Sequence, residues 1–327
     1  MPALRESNEP SPGVRLYAGL DIGGTKMAAG LVTAKGELAL RLTVPTEASQ
    51  GGAAVLERAL ELVEKLLQEA ASQGLPAPTA LGIAAGGRID TERGVVAAAS
   101  AMIPGWTGTP LVESFQARFG LPCQADNDVN AQALAESRFG AGRGYRQMLY
   151  AAAGTGLGGG LVLDGRLYRG GHYCAGEIGH SLYRAGGLAC ECGRQGCLEQ
   201  YTATAAIQRY YRTASGAERI LSIPELASQA EANPYGPAGR AFTEAGSALG
   251  TGLASLACLL DPQVIVLGGG LAAASPLYLE AARRGYRQQA WPELADLPLL
   301  PGLPGGLAGI SGAAALVMEE VMEAPLC

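Results

Sequence analysis

Between Glu177 and Glu199 the chain reads EIGHSLYRAGGLACECGRQGCLE, gathering three of the seven cysteines and one of the two histidines. Cys190, Cys192 and Cys197 stand as C-x-C-x4-C, and His180 lies ten residues upstream of the first. One imidazole and three thiolates make the donor set of a closed tetrahedral site for structural Zn²⁺. The plainer alternative is a group of buried or surface thiols that share a Gly-rich loop. Glu177 and Glu199 bracket the set, and a metal-bound histidine keeps a second ring nitrogen that needs its own hydrogen-bond partner. A polyhydroxy ligand would satisfy that nitrogen and both carboxylates, because carboxylates accept and hydroxyls donate. Solvated surface charge is the bland role for each Glu.

Further groups with chemical potential lie at strand ends. Asp126, Asn127 and Asp128 open a helical run, and one of them must cap it. Three such side chains exceed what a cap needs. The sharper reading makes Asp128 a base for an attacking hydroxyl, kept ionised by the helix N-terminus, with Asn127 bonding a sugar. DIGGTK (Asp21 to Lys26) lies between two strand-like runs. A glycine turn of that kind is by itself only a hairpin, yet it also forms a nest of backbone N–H groups that holds phosphate. There Asp21 would stand near a phosphate-bound Mg²⁺, and Thr25 or Lys26 near phosphate oxygens. Gly23 and Gly24 supply the turn.

GTGLGGG (Gly154 to Gly160) formally satisfies G-x-G-x-x-G through Gly154, Gly156 and Gly159. A β-like run follows it instead of a helix, which excludes the dinucleotide motif. Placing Thr25 on Thr155 (155 − 25 = 130) aligns GGTKMAAGLVTAKG with AGTGLGGGLVLDGR without a gap. The chain therefore reads as two related halves, each opening with a strand, a phosphate turn and a strand, able together to clamp a polyphosphate. QVIVLGGGL ends a buried strand in Gly268, Gly269 and Gly270, where a flat ring such as adenosine can lie on backbone.

The elements that must position these groups alternate between strand and helix. Ala53 to Ser72 has helical apolar spacing, Thr79 to Ala85 is a short buried strand leading into GGRID, and Ala241 to Leu260 is a long apolar helix ended by Asp261-Pro262. Residues 215–239 read as a Pro-containing linker and 294–309 as a loop. The domain reading is a flexible tail over 1–13, an N-terminal α/β domain over 14–126 completed by a helix over 310–327, and a C-terminal α/β domain over 127–309 that carries the zinc site. A net charge of −6 with scattered Lys and Arg argues against a nucleic-acid surface. The polar start, without an apolar core, argues against an export signal, and the odd cysteine count against a disulfide framework. No stretch is apolar and long enough to span a membrane. A cytoplasmic protein is the expectation.

E-I-G-H followed by C-E-C-G-R-Q-G-C-L-E resembles the zinc-and-sugar motif of the ROK family of repressors and hexose kinases. DIGGTK, DNDVNAQALAE, GTGLGGG, VIVLGGG and ISGAAAL extend the resemblance from Leu20 to Leu316. It implies the actin-like, ribonuclease H-like sugar kinase fold, two α/β domains with a cleft between them, usually as a homodimer. It implies ATP with Mg²⁺ as phosphoryl donor, a hexose as acceptor, and Asp128 as the base. Gly87, Asn127, Glu177, His180 and Glu199 become sugar contacts, and His180, Cys190, Cys192 and Cys197 zinc ligands. Gly86-Gly87-Arg88-Ile89-Asp90 and Met102 depart from the glucokinase pattern, and together with Ser100 look closer to the N-acetylmannosamine kinase branch. Arg88 would then meet an acetamido carbonyl. The rival readings are a sugar-responsive regulator, for which thirteen leading residues leave no room for a helix-turn-helix, and a zinc-stapled binding protein without catalysis.

Overall fold

The computed structural model describes residues 15–304 and 306–322. The expected tail over 1–13 and the last residues of the expected terminal helix lie outside them. In chain order come β1 (Leu16–Ile22), β2 (Lys26–Thr33), β3 (Leu38–Pro45), α1 (Gly52–Ser72), β4 (Leu81–Ala85), β5 (Arg88–Asp90), β6 (Val95–Ala98), α2 (Leu111–Phe119), β7 (Cys123–Asn127) and α3 (Asp128–Phe139). There follow β8 (Met148–Ala153), β9 (Leu157–Leu163), β10 (Arg166–Tyr168), α4 (Glu199–Thr202), α5 (Thr204–Ser215), α6 (Ile223–Ala232) and α7 (Pro237–Leu260). The chain closes with β11 (Val264–Gly268), α8 (Gly270–Ala274), α9 (Pro276–Gln289), β12 (Leu299–Pro301) and α10 (Leu307–Met322).

These elements form two compact units. The first holds the described residues up to Phe139, Gly171–Tyr173 and α10, and the second holds Gly140–Gly170 and Cys174–Pro304. The first unit is built on a sheet of order β3-β2-β1-β4-β7, the second on a sheet of order β10-β9-β8-β11-β12. In each, an antiparallel meander is extended by two parallel strands. The repetition read at a constant offset is thus a repetition of topology. It slips by one residue in the leading strand: Gly19 faces Gly30, but Gly160 faces Tyr150 where the constant offset would put Leu149. The second turn is shorter, which absorbs the difference.

In the first unit β1 and β4 are buried almost throughout, as befits strands covered on both faces. Leu16, Ala18, Leu20 and Ile22 pack with Val55, Ala59, Leu62, Val63 and Leu66 of α1, while the alternate side of the sheet meets α3 and α10 through Tyr17, Ala28, Ala84, Ala131, Ala313 and Ala314. Glycine makes the second contact possible. A Cβ at Gly82 would stand 1.7 Å from the Ala313 carbonyl oxygen, and one at Gly312 would stand 2.0 Å from that of Ala131. Because α10 locks α3 in this way, α3 belongs to the first unit, and the boundary falls after Phe139 instead of at 126/127.

In the second unit α7 and α9 pack closely through Gly246, Gly250 and Gly285 and cover one core with Leu149, Ala151, Ile265 and Leu267. Two segments differ from the expectation. The linker over 215–239 contains α6, held by a capping box in which Ser222 and Glu225 bond each other's backbone N–H. The Pro/Gly-rich loop over 294–309 contains β12, a three-residue edge strand paired to β11 and too short to show any period. No helix among the described residues is long and apolar enough to cross a membrane.

Gly82→Ala is expected to cost about 2 kcal/mol by overpacking sheet against α10, lowering the first unit's thermal transition by roughly 4–8 °C. Calorimetry checks this, and an unchanged transition would mean that α10 is not seated as described.

Candidate active site

In the first unit the carboxyl ends of the parallel strands stand in register, Asp21 beside Ala84 and Ala84 beside Asp126. Asn127 proves to be the cap of α3. Its Oδ1 accepts from the N–H groups of Val129 at 2.9 Å and Asn130 at 3.2 Å, and its Nδ2 donates to the Gly87 carbonyl at 2.9 Å. Buried Asp126 supports it, accepting from the Asn127 N–H at 2.7 Å and from Asn130 Nδ2 at 3.0 Å. Asn127 thus spends its oxygen and one amide hydrogen on the protein and keeps one hydrogen for a ligand. The cap does not require Asp128, whose half-buried carboxylate accepts the Val129 N–H at 3.0 Å.

The GGR segment is held equally firmly. The Gly86 carbonyl accepts from the indole N–H of buried Trp106 at 3.1 Å. Gly87 has φ 103°, and a Cβ there would meet the Ala98 carbonyl oxygen at 2.7 Å, so only glycine fits. Arg88 follows, half-buried, as the first residue of β5. Ser100 is exposed, its Oγ 3.5 Å from the Met102 N–H, and the Met102 sulfur lies 2.1 Å from where a Cβ on Gly24 would stand. The thioether therefore covers the first glycine turn.

That turn, Gly23 to Lys26, closes with a Gly23 N–H bond to the Lys26 carbonyl at 3.1 Å. Fully buried Thr46 fastens it: its Oγ1 donates to the Gly23 carbonyl at 2.6 Å and its N–H to the Thr25 carbonyl at 3.0 Å. Two carbonyls of the turn are thereby engaged within the protein. Asp21, at the strand end, lies against the first turn of α10, where a Cβ on Gly309 would stand 2.2 Å from its Oδ2. Burial pushes the Asp21 carboxyl up to about 7, the charge of Asp128 pushes in the same direction, and Lys26 and Arg41 pull it back.

The second unit carries a matching turn. The Gly154 N–H donates to the Gly156 carbonyl at 2.9 Å, and the Gly154 carbonyl accepts from Thr204 N–H at 3.0 Å and Thr204 Oγ1 at 2.9 Å. Glu199 Oε2 accepts the Leu157 N–H at 2.8 Å and stands 2.5 Å from where a Cβ on Gly156 would be. Gly154, Thr155 and Gly156 are thus braced by Thr204 on one side and by Glu199 on the other. At the end of β11, Gly268 is buried and Gly269 has φ 85°, and a Cβ there would lie 2.3 Å from the Ala153 carbonyl oxygen. Gly270 begins the short α8 beside it.

His180, Cys190, Cys192 and Cys197 come together, with one ligand atom from each lying within 4.8 Å of the others. His180 Nδ1 is 3.7 Å from Cys190 Sγ, and Cys192 Sγ is 3.6 Å from Cys197 Sγ. A tetrahedron with Zn–S near 2.3 Å and Zn–N near 2.0 Å has edges of about 3.5–3.8 Å, so this donor set fits zinc. The ring turns Nδ1 to the thiols, which leaves Nε2 as the nitrogen available to a ligand. Hydrogen bonds from the Arg194 backbone and guanidinium hold the Cys192 thiol down to about 6. Glu177, exposed, precedes the short 3₁₀ turn that carries His180.

The model of the ROK family matches residues 17–320. The chain belongs to the ROK family. A glucokinase from Streptomyces coelicolor is 35% identical over 305 residues, covering 86% of this chain and 92% of the relative. A ROK hexokinase from Thermus thermophilus superposes with a TM-score of 0.80 at 38% identity, covering 94% of this chain and 99% of that one. A ROK family glucokinase from Streptomyces griseus, solved with glucose and AMPPNP, superposes with a TM-score of 0.78 at 33% identity over 92% and 98% of the two chains. The fold is the actin-like two-domain α/β fold of this family.

The ROK motifs were legible as residue patterns, but their supports were not. Thr46 and Thr204 lie outside any motif, and the sequence reading assigns Trp106 no part. What places them is hydrogen bonding to glycine carbonyls, which leaves no periodic signal.

A carboxyl raised from 3.8 to about 7 keeps its proton in the folded state while the unfolded chain has lost it. Stability is therefore lost as pH rises from about 4 to about 7, by up to about 4 kcal/mol, and is level above. Asp21→Asn has no such loss, so its melting temperature relative to the parent protein should climb between pH 4 and pH 7 and then hold constant. A difference independent of pH would show an ordinary carboxylate.

Proposed function

We propose that this ROK family protein is a hexose kinase that transfers the γ-phosphoryl group of ATP, taken as its Mg²⁺ complex, to the 6-hydroxyl of glucose or an N-acetylhexosamine. The observation that carries the reading is the arrangement at the start of α3: Asn127 caps the helix and holds the Gly87 carbonyl, and beside it Asp128 sets a half-buried carboxylate at the helix N-terminus. There it is suited to take the proton of an attacking alcohol, with the helix end favouring its charged form. Phosphoryl transfer asks for positioning and charge stabilisation more than for covalent chemistry. Gly23, Gly24, Thr25 and Lys26, together with Gly154, Thr155 and Gly156, are assigned to the phosphates, Asp21 to the side of the metal-bound phosphates, and Gly268, Gly269 and Gly270 to adenosine. Gly87, Arg88, Ser100, Asn127, Glu177, His180 and Glu199 are assigned to the sugar.

Zinc, held by His180, Cys190, Cys192 and Cys197, would be structural: with all four positions filled by protein it stiffens the loop that presents His180 Nε2 and takes no part in the transfer. Glu199, with one oxygen on the Leu157 N–H, would join the sugar wall to the second phosphate turn. A homodimeric, cytoplasmic enzyme without a nucleic-acid partner completes the reading.

The test is ADP release from purified protein with glucose, mannose, N-acetylglucosamine, N-acetylmannosamine and fructose. Turnover is expected with one or more of these sugars, and Asp128→Asn should reduce kcat by about 10²–10⁴-fold while sugar still perturbs the fluorescence of buried Trp106. Full activity in that variant would remove Asp128 from its role. An inert parent protein would remove the kinase reading.

A further inference from the structure

Arg194 occupies the turn between Cys192 and Cys197, and its own carbonyl accepts the Cys190 N–H at 2.8 Å. Its guanidinium donates through Nη2 to the carbonyl of His180, and its positive charge lies near the thiols of Cys192, Cys197 and Cys190. One side chain thus holds the backbone of the imidazole ligand and brings a positive charge to the thiol ligands. Three thiolates and a neutral imidazole around a divalent ion leave a net charge of −1, and an adjacent guanidinium cancels it. Partners behind metal ligands set both their orientation and their hold on the ion. Lys supplies only a point charge, whereas the planar guanidinium can bond two acceptors at fixed angles.

We propose that Arg194 is a positioning residue that couples zinc retention to the orientation of the His180 ring, and through it to hexose binding. The proposal rests on the zinc and sugar-wall assignments above. By engaging the His180 carbonyl it fixes the backbone from which the ring projects with Nδ1 toward the metal. By standing near the three thiols it offsets the negative charge that the cluster must bear. Loss of the guanidinium frees both constraints at once, so metal and sugar affinity fall together although Arg194 need touch neither.

The experiment compares the zinc-loaded parent protein with Arg194→Gln, Arg194→Lys and, as a surface control, Arg212→Gln. Zinc release to a chromophoric chelator should be about 10–100-fold faster in Arg194→Gln and intermediate in Arg194→Lys. The sulfur-to-metal charge-transfer band of the cobalt-substituted protein should shift in the same order, the hexose KM should rise several-fold with kcat and the ATP KM little changed, and Arg212→Gln should match the parent. Release and KM at parental values in both Arg194 variants would overturn the proposal, as would faster release with an unmoved band and KM, which would mark a merely structural part. If Arg194→Gln fails to fold, Arg194→Lys carries the same comparison. A parent protein that contains no zinc would overturn the metal assignment itself.

Discussion

Two carboxylates in the first unit, Asp21 and Asp128, are near enough for one charge to raise the cost of the other, and Asp21 is buried as well. Such a pair is expensive to keep, because burial and like charge both oppose ionisation. Its surroundings only partly relieve it. Lys26 and Arg41 contribute opposite charge, and Gly309 allows the Asp21 carboxyl to lie against the first turn of α10, where a helix N-terminus favours negative charge.

The same glycine-turn construction occurs twice. Each sheet begins with an antiparallel hairpin whose turn is rich in glycine, and in each a threonine from elsewhere donates both its hydroxyl and its N–H to the turn, Thr46 to the carbonyls of Gly23 and Thr25, and Thr204 twice to that of Gly154. The two threonines arrive from different elements, one from the end of β3 and one from the start of α5. The halves therefore share the turn and the sheet order but differ in what fastens the turn. Only the second has Glu199 beside its turn, and so only the second is tied to the segment that carries the three clustered cysteines.

The segment from His180 to Cys197 has little regular structure to hold it. Its shape comes from isolated bridges at Leu182–Cys197 and Ala189–Gln195 and from side chains such as Arg194. A tetrahedral ion bound by its four donors would order such a segment where so few apolar residues cannot form a core.

What the sequence determined by itself is chemistry fixed by residue type and short spacing. The C-x-C-x4-C cluster with His180, the glycine turns, the acidic start of α3 and the repeat between halves could all be read, because donor sets and turns depend on neighbours in the chain. Long amphipathic helices such as α1 were equally legible. Only the tertiary structure decided which of Asp126, Asn127 and Asp128 caps α3, that Glu199 braces the second turn, and that α3 belongs with α10. It also decided that α6 and β12 form in stretches read as linker and loop. These outcomes rest on hydrogen bonds and glycine contacts between residues far apart in the chain, such as Asn127 with Gly87, Glu199 with Leu157 and Gly312 with Ala131. Such pairs leave no trace in local pattern, since each residue alone is compatible with many partners and only close packing selects one.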